Sequence, residues 1–118
     1  MREGGFVHEM SLCEAIASSV AKLADGGTVT SVSIRVGHLR QVVPDALEFC
    51  WEMLTEGSNL GGSKLLIEQV PAVIECEACG AETALDMPIL LCGACESDKV
   101  KLISGEELRI DSFDIEED

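Results

Sequence analysis

Two short stretches decide the fold: Cys76-Glu77-Ala78-Cys79 and, after twelve further residues, Cys92-Gly93-Ala94-Cys95. Each Cys-x2-Cys pair lets two thiolates converge on one ion from a tight turn, and twelve residues are enough for a hairpin that brings the pairs together. Four thiolates fill a tetrahedral site and leave no position open for water or substrate. The spacing therefore predicts a structural zinc site whose ligands are Cys76, Cys79, Cys92 and Cys95.

Two other interpretations of the four cysteines stay open from the residues alone. Iron in a rubredoxin-like electron carrier uses the same four thiolates, and a pair of redox-active dithiols would have the same spacing. Gly80 and Gly93 each follow a cysteine, so we expect both to let the backbone turn closely around sulfur. Residues 71–105 are too few to bury a core, so we expect this module to fold around its metal, which contributes about 10–16 kcal/mol in such modules.

Helical periodicity marks two segments outside the module. Apolar residues recur at intervals of three and four from Met10 to Ala24, which predicts an amphipathic helix that begins just after His8. Pro44 suits a first helical turn, and the apolar spacing that follows predicts a second helix to about Glu56.

Three segments have the composition of strands: residues 28–36, 64–70 and 107–115. The apolar residues of the last one change phase, which one β-bulge would absorb, and we expect this strand to pair with the first part of the chain. The predicted class is α+β. A small sheet with two helices forms from residues 1–70 and 106–118, and the zinc-binding module, residues 71–105, is inserted between two strands of that sheet.

Composition limits the possible functions. The 118 residues carry 22 Asp and Glu against 8 Lys and Arg, for a net charge of −14, and only 3% are aromatic. This balance repels phosphate backbones, so we expect no nucleic-acid partner and reject a zinc-ribbon regulator.

The sequence shows no export signal and no apolar run long enough to span a membrane, so we expect a cytoplasmic location and no membrane partner. A hydrolase would need an open metal site or a catalytic constellation of side chains, and the sequence shows neither. We therefore expect no enzyme activity.

The remaining candidate ligands have simpler interpretations. Cys13 and Cys50 lie on the apolar faces of the two predicted helices, where we expect small buried side chains. Asp45 fits the first turn of the second helix. His38 fits a surface position at the end of a strand, and His8 by itself is weak evidence for a metal site.

Nearly the whole chain resembles the HypA/HybF family of hydrogenase maturation proteins, through segments that occur in the same order: His8-Glu9-Met10-Ser11-Leu12, Ile34-Arg35-Val36-Gly37, the two cysteine pairs and Gly105-Glu106-Glu107-Leu108-Arg109-Ile110. The resemblance implies a nickel metallochaperone that carries Ni(II) as cargo, with His8 as nickel ligand, Glu9 in support and a structural zinc. It also implies two partners, the GTPase HypB and the large subunit precursor of [NiFe] hydrogenase, with urease accessory proteins as a further candidate.

The segment before His8 departs from the family, whose members open with Met-His-Glu. Here residues 1–6 and Val7 precede His8. Because Val can be encoded by GTG, a codon that also initiates translation in bacteria, we expect the native chain to start at position 7. A free amine would then lie beside His8, and Ni(II) favours a square-planar set of imidazole and amine nitrogens. Such binding weakens in acid, because protons compete for the imidazole.

Overall fold

The structure is a computed structural model that describes residues 4–86 and 89–116, with side chains from His8 onward. Its elements in chain order are α1 (Gly4–Ala24), β1 (Val29–Gly37), a 3-10 helix (His38–Arg40), α2 (Pro44–Thr55), β2 (Lys64–Val70), β3 (Ala72–Cys76), β4 (Glu82–Leu85), β5 (Val100–Ser104) and β6 (Leu108–Ile115). One sheet has the order β2-β1-β6 and the other β4-β3-β5. The predicted α+β class, with the cysteine module inserted between β2 and β6, is confirmed.

The chain divides into two compact units. The first contains residues 1–34, 42–68 and 109–118, and the second contains residues 35–41 and 69–108. The second unit thus includes the predicted module, 71–105, and also the end of β1 with the 3-10 helix. The predicted division of the chain between a nickel body and a zinc module remains a prediction. The expected start at position 7 concerns residues 1–6, of which 1–3 lie outside the described part.

The two helices of the first unit pack against each other through small and apolar side chains. The buried apolar side chains are Cys13, Ile16, Val20 and Ala24 from α1, and Leu47, Cys50 and Trp51 from α2. Trp51 is 1% exposed and donates its indole N–H to Ser63 Oγ over 2.9 Å, so its one polar atom is paired. Burying each large apolar side chain stabilises this core by about 1.5–3 kcal/mol.

The first helix begins earlier than predicted. It starts at Gly4 rather than near Met10, so His8 lies within the helix and not in front of it. The apolar pattern missed this start because Gly4 and Gly5 have low helix propensity and none of the residues in the first turn is acidic. Helical geometry at His8 means that its side chain and that of Glu9 project about 100° apart around the axis.

Strands β1 and β6 have the predicted pairing in the first sheet. Val32 and Ile34 are buried as the alternation predicted, and Ser31 Oγ donates to Asp114 Oδ2 over 2.8 Å. In β6, Leu108 and Ile110 are half-buried, two exposed residues follow, and Phe113 is half-buried again. The predicted change of phase is therefore visible in the burial of β6.

The second unit is built on β3, which pairs antiparallel with β4 on one side and β5 on the other. Its buried residues alternate, Ala72, Ile74 and Cys76, so the last buried position of the strand is a cysteine. The register against β5 shifts between Val73 and Ile74. The sequence did not predict these three strands.

Residues 35–41 are held in the second unit by backbone contacts with the turn after β5. Gly37 N–H donates to Glu107 O over 2.7 Å, and Leu39 N–H donates to Gly105 O over 2.9 Å. Gly105 has φ +117°, and a Cβ there would lie 2.6 Å from Ala72 Cα. The position therefore requires glycine both for its backbone angle and for space.

Candidate metal centre

Two turns of the same geometry carry the four cysteines. In the first, Gly80 N–H donates to Cys76 O over 2.9 Å, and in the second, Glu96 N–H donates to Cys92 O over 2.9 Å. The residue after the second cysteine is left-handed in both turns, with φ 81° at Gly80 and 64° at Glu96. The two turns therefore have the same backbone geometry. Glycine suits the left-handed angle in the first turn, whereas Glu96 is strained by it in the second.

Each turn points two backbone N–H groups at its first sulfur. Ala78 and Cys79 donate to Cys76 Sγ over 3.3 and 3.4 Å. In the second turn Ala94 and Cys95 donate to Cys92 Sγ over 3.3 and 3.4 Å. N–H groups aimed at sulfur favour the thiolate, which is the form that binds metal.

The two turns bring the four sulfurs into one cluster. Cys76 Sγ lies 3.6 Å from Cys95 Sγ, and Cys79 Sγ lies 3.6 Å from Cys92 Sγ. All four sulfurs lie within 4.8 Å of one another, and in residues 4–86 and 89–116 no other group of three or more Cys, His, Asp or Glu side chains converges in this way. A tetrahedral ion with metal–sulfur bonds of about 2.3 Å requires sulfurs about 3.8 Å apart. The cluster therefore fits one four-coordinate metal ion.

In the metal-free protein the pKa values of the four thiols differ. The N–H groups of Cys95 and Ala94 lower the pKa of Cys92 to about 6, and the N–H of Cys79 lowers the pKa of Cys76. At Cys95 the N–H of Ser97 lowers the pKa, but the thiols of Cys76 and Cys79 outweigh it and raise the pKa to about 12. The first cysteine of each turn thus favours the thiolate and Cys95 the thiol, so a divalent ion must displace protons as it binds.

The two glycines differ from the expected role of close approach to sulfur. Gly80 has a positive φ of 81°, and nothing lies within 4 Å of a Cβ added there. Gly93 has no such angle; its N–H donates to Thr83 Oγ1 over 3.0 Å, and a Cβ there would lie 3.2 Å from that side chain. Glycine at position 93 therefore allows close approach to β4, and the position equivalent to Gly80 is Glu96. Aligning the two turns cysteine to cysteine would have shown this from the sequence.

The predicted nickel residues lie next to each other in α1 but in opposite environments. His8 is exposed, whereas Glu9 is only 2% exposed. Glu9 Oε2 accepts the N–H of Val43, the residue that caps the start of α2, over 2.9 Å. Glu9 Oε1 is buried without a hydrogen-bond partner among the described residues. The sequence carried a signal for this burial, because Glu9 lies four residues before Cys13 on the apolar stripe of α1.

The remaining candidates occupy the positions expected for them. Cys13 and Cys50 are 0% and 1% exposed, and Cys13 Sγ donates to Leu47 O over 3.3 Å. Burial, with Cys50 and Glu9 nearby, raises the pKa of Cys13 to about 12, so this thiol stays protonated. Asp45 lies in the first turn of α2, and His38 is exposed in the 3-10 helix.

Comparison with known proteins places this architecture in a known class. A protein-family model described as "Hydrogenase/urease nickel incorporation, metallochaperone, hypA" matches residues 7–115. The hydrogenase maturation factor HypA of Geotalea uraniireducens is 42% identical over 110 residues, which cover 93% of this chain and 100% of that protein. The HypA of a Nostoc species is 36% identical over 111 residues, which cover 94% and 97% of the two chains.

A solved structure shows the same fold. The solution structure of the Ni metallochaperone HypA from Helicobacter pylori aligns with a TM-score of 0.61 at 19% identity, and the alignment covers 91% of this chain and 96% of that one. The fold and the cysteine cluster define a small α+β protein with a metal-binding module. The chain belongs to the HypA family of nickel metallochaperones for hydrogenase maturation. No helix in the described part of the chain is long and apolar enough to cross a membrane.

Proposed function

We propose that this protein binds Ni(II) at His8 and Glu9 and delivers it to the large subunit precursor of [NiFe] hydrogenase. Family membership supports the general role, and the model's description names nickel incorporation. Nickel is cargo in this proposal, so the site must bind the ion and release it again. The protein acts by binding and transfer and not as an enzyme.

The observation that carries the nickel site is the buried, unpartnered oxygen of Glu9. A carboxylate has two acceptor oxygens, and burying one without a partner costs free energy. Val43 satisfies Oε2, whereas Oε1 has no hydrogen-bond donor among the described residues. A cation held beside Glu9 would satisfy that oxygen, and His8, the preceding residue in the chain, is the proposed nitrogen ligand.

The second metal in the proposal is a structural Zn(II) at Cys76, Cys79, Cys92 and Cys95. The sulfur spacing fits its tetrahedral geometry. Four protein ligands leave no open position for a substrate, which supports a structural role. We assign residues 71–105 to the part that depends on zinc, and residues 1–70 and 106–118 to the part that carries nickel.

The proposal includes the partners and the location expected from the sequence. The GTPase HypB and the hydrogenase precursor are the proposed partners in nickel insertion, urease accessory proteins are a further candidate, and the location is the cytoplasm. The charge of −14 supports protein partners over nucleic acid.

The delivery role can be tested by complementation in a host that lacks its own copy of this factor. The wild-type chain should restore nickel incorporation into the precursor and hydrogenase activity, and His8→Ala should not. Excess nickel in the medium should partly restore the His8→Ala strain, because mass action replaces delivery. His38→Ala is the matched control, since His38 is the other histidine and is also exposed. Full maturation with His8→Ala at low nickel would contradict the proposed site.

A further inference from the structure

The four cysteines of the cluster differ in how far each residue is exposed. Cys76 and Cys92 are each 2% exposed, whereas Cys79 and Cys95 are exposed. The sulfur of each exposed cysteine lies 3.6 Å from the sulfur of the buried cysteine in the other turn, Cys95 from Cys76 and Cys79 from Cys92. The cluster therefore contains two close pairs, and each pair joins an exposed cysteine to a buried one.

We propose that the cluster is an oxidation site at which a peroxide converts the four cysteines into two nested disulfides, Cys76–Cys95 and Cys79–Cys92. Both disulfides connect one turn to the other. Once they form, no thiolate of the cluster remains to hold a metal, so oxidation releases the ion from the second unit.

The chemistry of each pair balances with one molecule of hydrogen peroxide. A cysteine that ligates a metal is a thiolate, so Cys79 or Cys95 attacks one peroxide oxygen in that form. The O–O bond breaks, and the products are a sulfenic acid and hydroxide. The buried thiolate then attacks the sulfenic sulfur, the S–S bond forms, and a second hydroxide leaves. Two sulfurs lose one electron each, and the peroxide gains both.

The positions of the sulfurs favour pairing between the turns. A disulfide needs sulfurs about 2.05 Å apart, so each 3.6 Å pair must close by about 1.5 Å. Within a turn, two N–H groups hold the buried sulfur over its own backbone, Ala78 and Cys79 at Cys76 and Ala94 and Cys95 at Cys92. The remaining pairing would join Cys76 to Cys92, and both of these residues are only 2% exposed.

The chain contains its own control thiols. Cys13 and Cys50 are buried in the first unit at 0% and 1% exposure. A cysteine that no oxidant reaches cannot form a sulfenic acid, so both should stay reduced under conditions that oxidise the cluster completely.

The test uses the zinc-loaded, full-length protein treated with hydrogen peroxide. Released zinc is followed with a chelating dye, free thiols are then alkylated under denaturing conditions, and the chain is cut after glutamate. Cleavage after Glu77 and Glu82 places Cys76 and Cys79 on different fragments, and residues 83–96 carry Cys92 and Cys95. The expected result is three fragments joined until reduction, zinc release in step with their formation, and alkylation at Cys13 and Cys50 only.

Three outcomes would overturn the proposal. A free 83–96 fragment with an internal disulfide would show pairing within a turn. Sulfinic or sulfonic acids as the main products would show that no second thiol reacts with the sulfenic acid. Oxidation of Cys13 or Cys50 before the cluster would show that exposure does not control the reaction. The single variant Cys79→Ser identifies the pairing between the turns. It should form Cys76–Cys95 and leave Cys92 to be alkylated, whereas alkylation of Cys95 or Cys76 would contradict the assigned pairs.

Discussion

Glu9 is a carboxylate with two different oxygens. Oε2 accepts the N–H of Val43 at the start of α2, and Oε1 is buried and has no hydrogen-bond partner among the described residues. Glu9 therefore combines a structural contact between the helices with a free acceptor. Substitution can separate the two functions, because an amide oxygen can accept the Val43 N–H but is a poor replacement for a charged metal-binding oxygen.

The first prediction is that Glu9→Gln weakens nickel binding by about tenfold or more, since a neutral amide is a poor ligand for Ni(II). Its oxygen can still accept the Val43 N–H, so the free energy of unfolding should change little. Glu9→Ala should weaken nickel binding and also cost about 1–3 kcal/mol of stability, because it leaves that N–H unpaired. Nickel titration and urea unfolding of both variants check this, and unchanged nickel affinity in Glu9→Gln would disprove the role.

The second prediction concerns the strained residue of the second cysteine turn. Glu96 has φ 64°, an angle that costs a residue with a side chain about 1–2 kcal/mol and glycine almost nothing. Glu96→Gly should therefore raise the unfolding free energy of the zinc-loaded protein by about 1 kcal/mol. Glu96→Ala is the control, because it removes the charge and keeps the strain. Equal stability of the two variants would show that charge and not backbone angle matters at this position.

At the scale of elements, the third prediction concerns the turn after β5. Gly105→Ala combines a positive φ with a clash against the backbone of Ala72, and we expect it to destabilise the protein by about 2–4 kcal/mol. Gly26→Ala also has a positive φ, but nothing lies within 4 Å of its added Cβ, so its cost should stay near 1 kcal/mol. Denaturant unfolding of the two variants checks the difference. A similar cost for both would remove the steric part of the explanation.

The elements with strong local signals were predicted well from the sequence. Strand β2 has the predicted bounds, Lys64–Val70, because glycines precede it and Pro71 follows it. Strands β3, β4 and β5 were missed because each has only four or five residues and their pairing depends on where the cysteine turns bring the chain together. The burial of Glu9 was missed for a different reason, because a pattern of apolar residues does not include a carboxylate.

The fourth prediction concerns the number of protons that the four cysteines release when zinc binds. The pKa of Cys92 is lowered to about 6, so near neutral pH this group is ionised before the metal arrives. Zinc binding at about pH 7.5 should therefore release fewer than four protons, and the number should approach four below about pH 6, where Cys92 is protonated in the metal-free protein. Affinity should fall in the same direction, because protons then compete for every sulfur. Calorimetry in buffers of different ionisation enthalpy measures the number, and four protons at both pH values would contradict this charge distribution.

At the scale of the whole molecule, the chain has two compact units and the proposed metal sites lie in different ones. His8 and Glu9 belong to the first unit, and the four cysteines belong to the second. In this proposal one chain retains a structural zinc ion in one unit and carries a transferable nickel ion in the other. The chemistry of the ligands supports this division, since four thiolates form a closed site and a histidine with one carboxylate leaves positions open for exchange.

The most direct test of this account is a nickel titration of the zinc-filled protein, comparing the wild-type chain with His8→Ala and His38→Ala. With the cysteines occupied by zinc, the wild-type and His38→Ala proteins should each bind one nickel ion and keep their zinc. The His8→Ala protein should keep its zinc and lose specific nickel binding. Unchanged nickel affinity in His8→Ala, or nickel uptake that displaces zinc from the cysteines, would contradict the central claim that nickel is carried at His8 and Glu9.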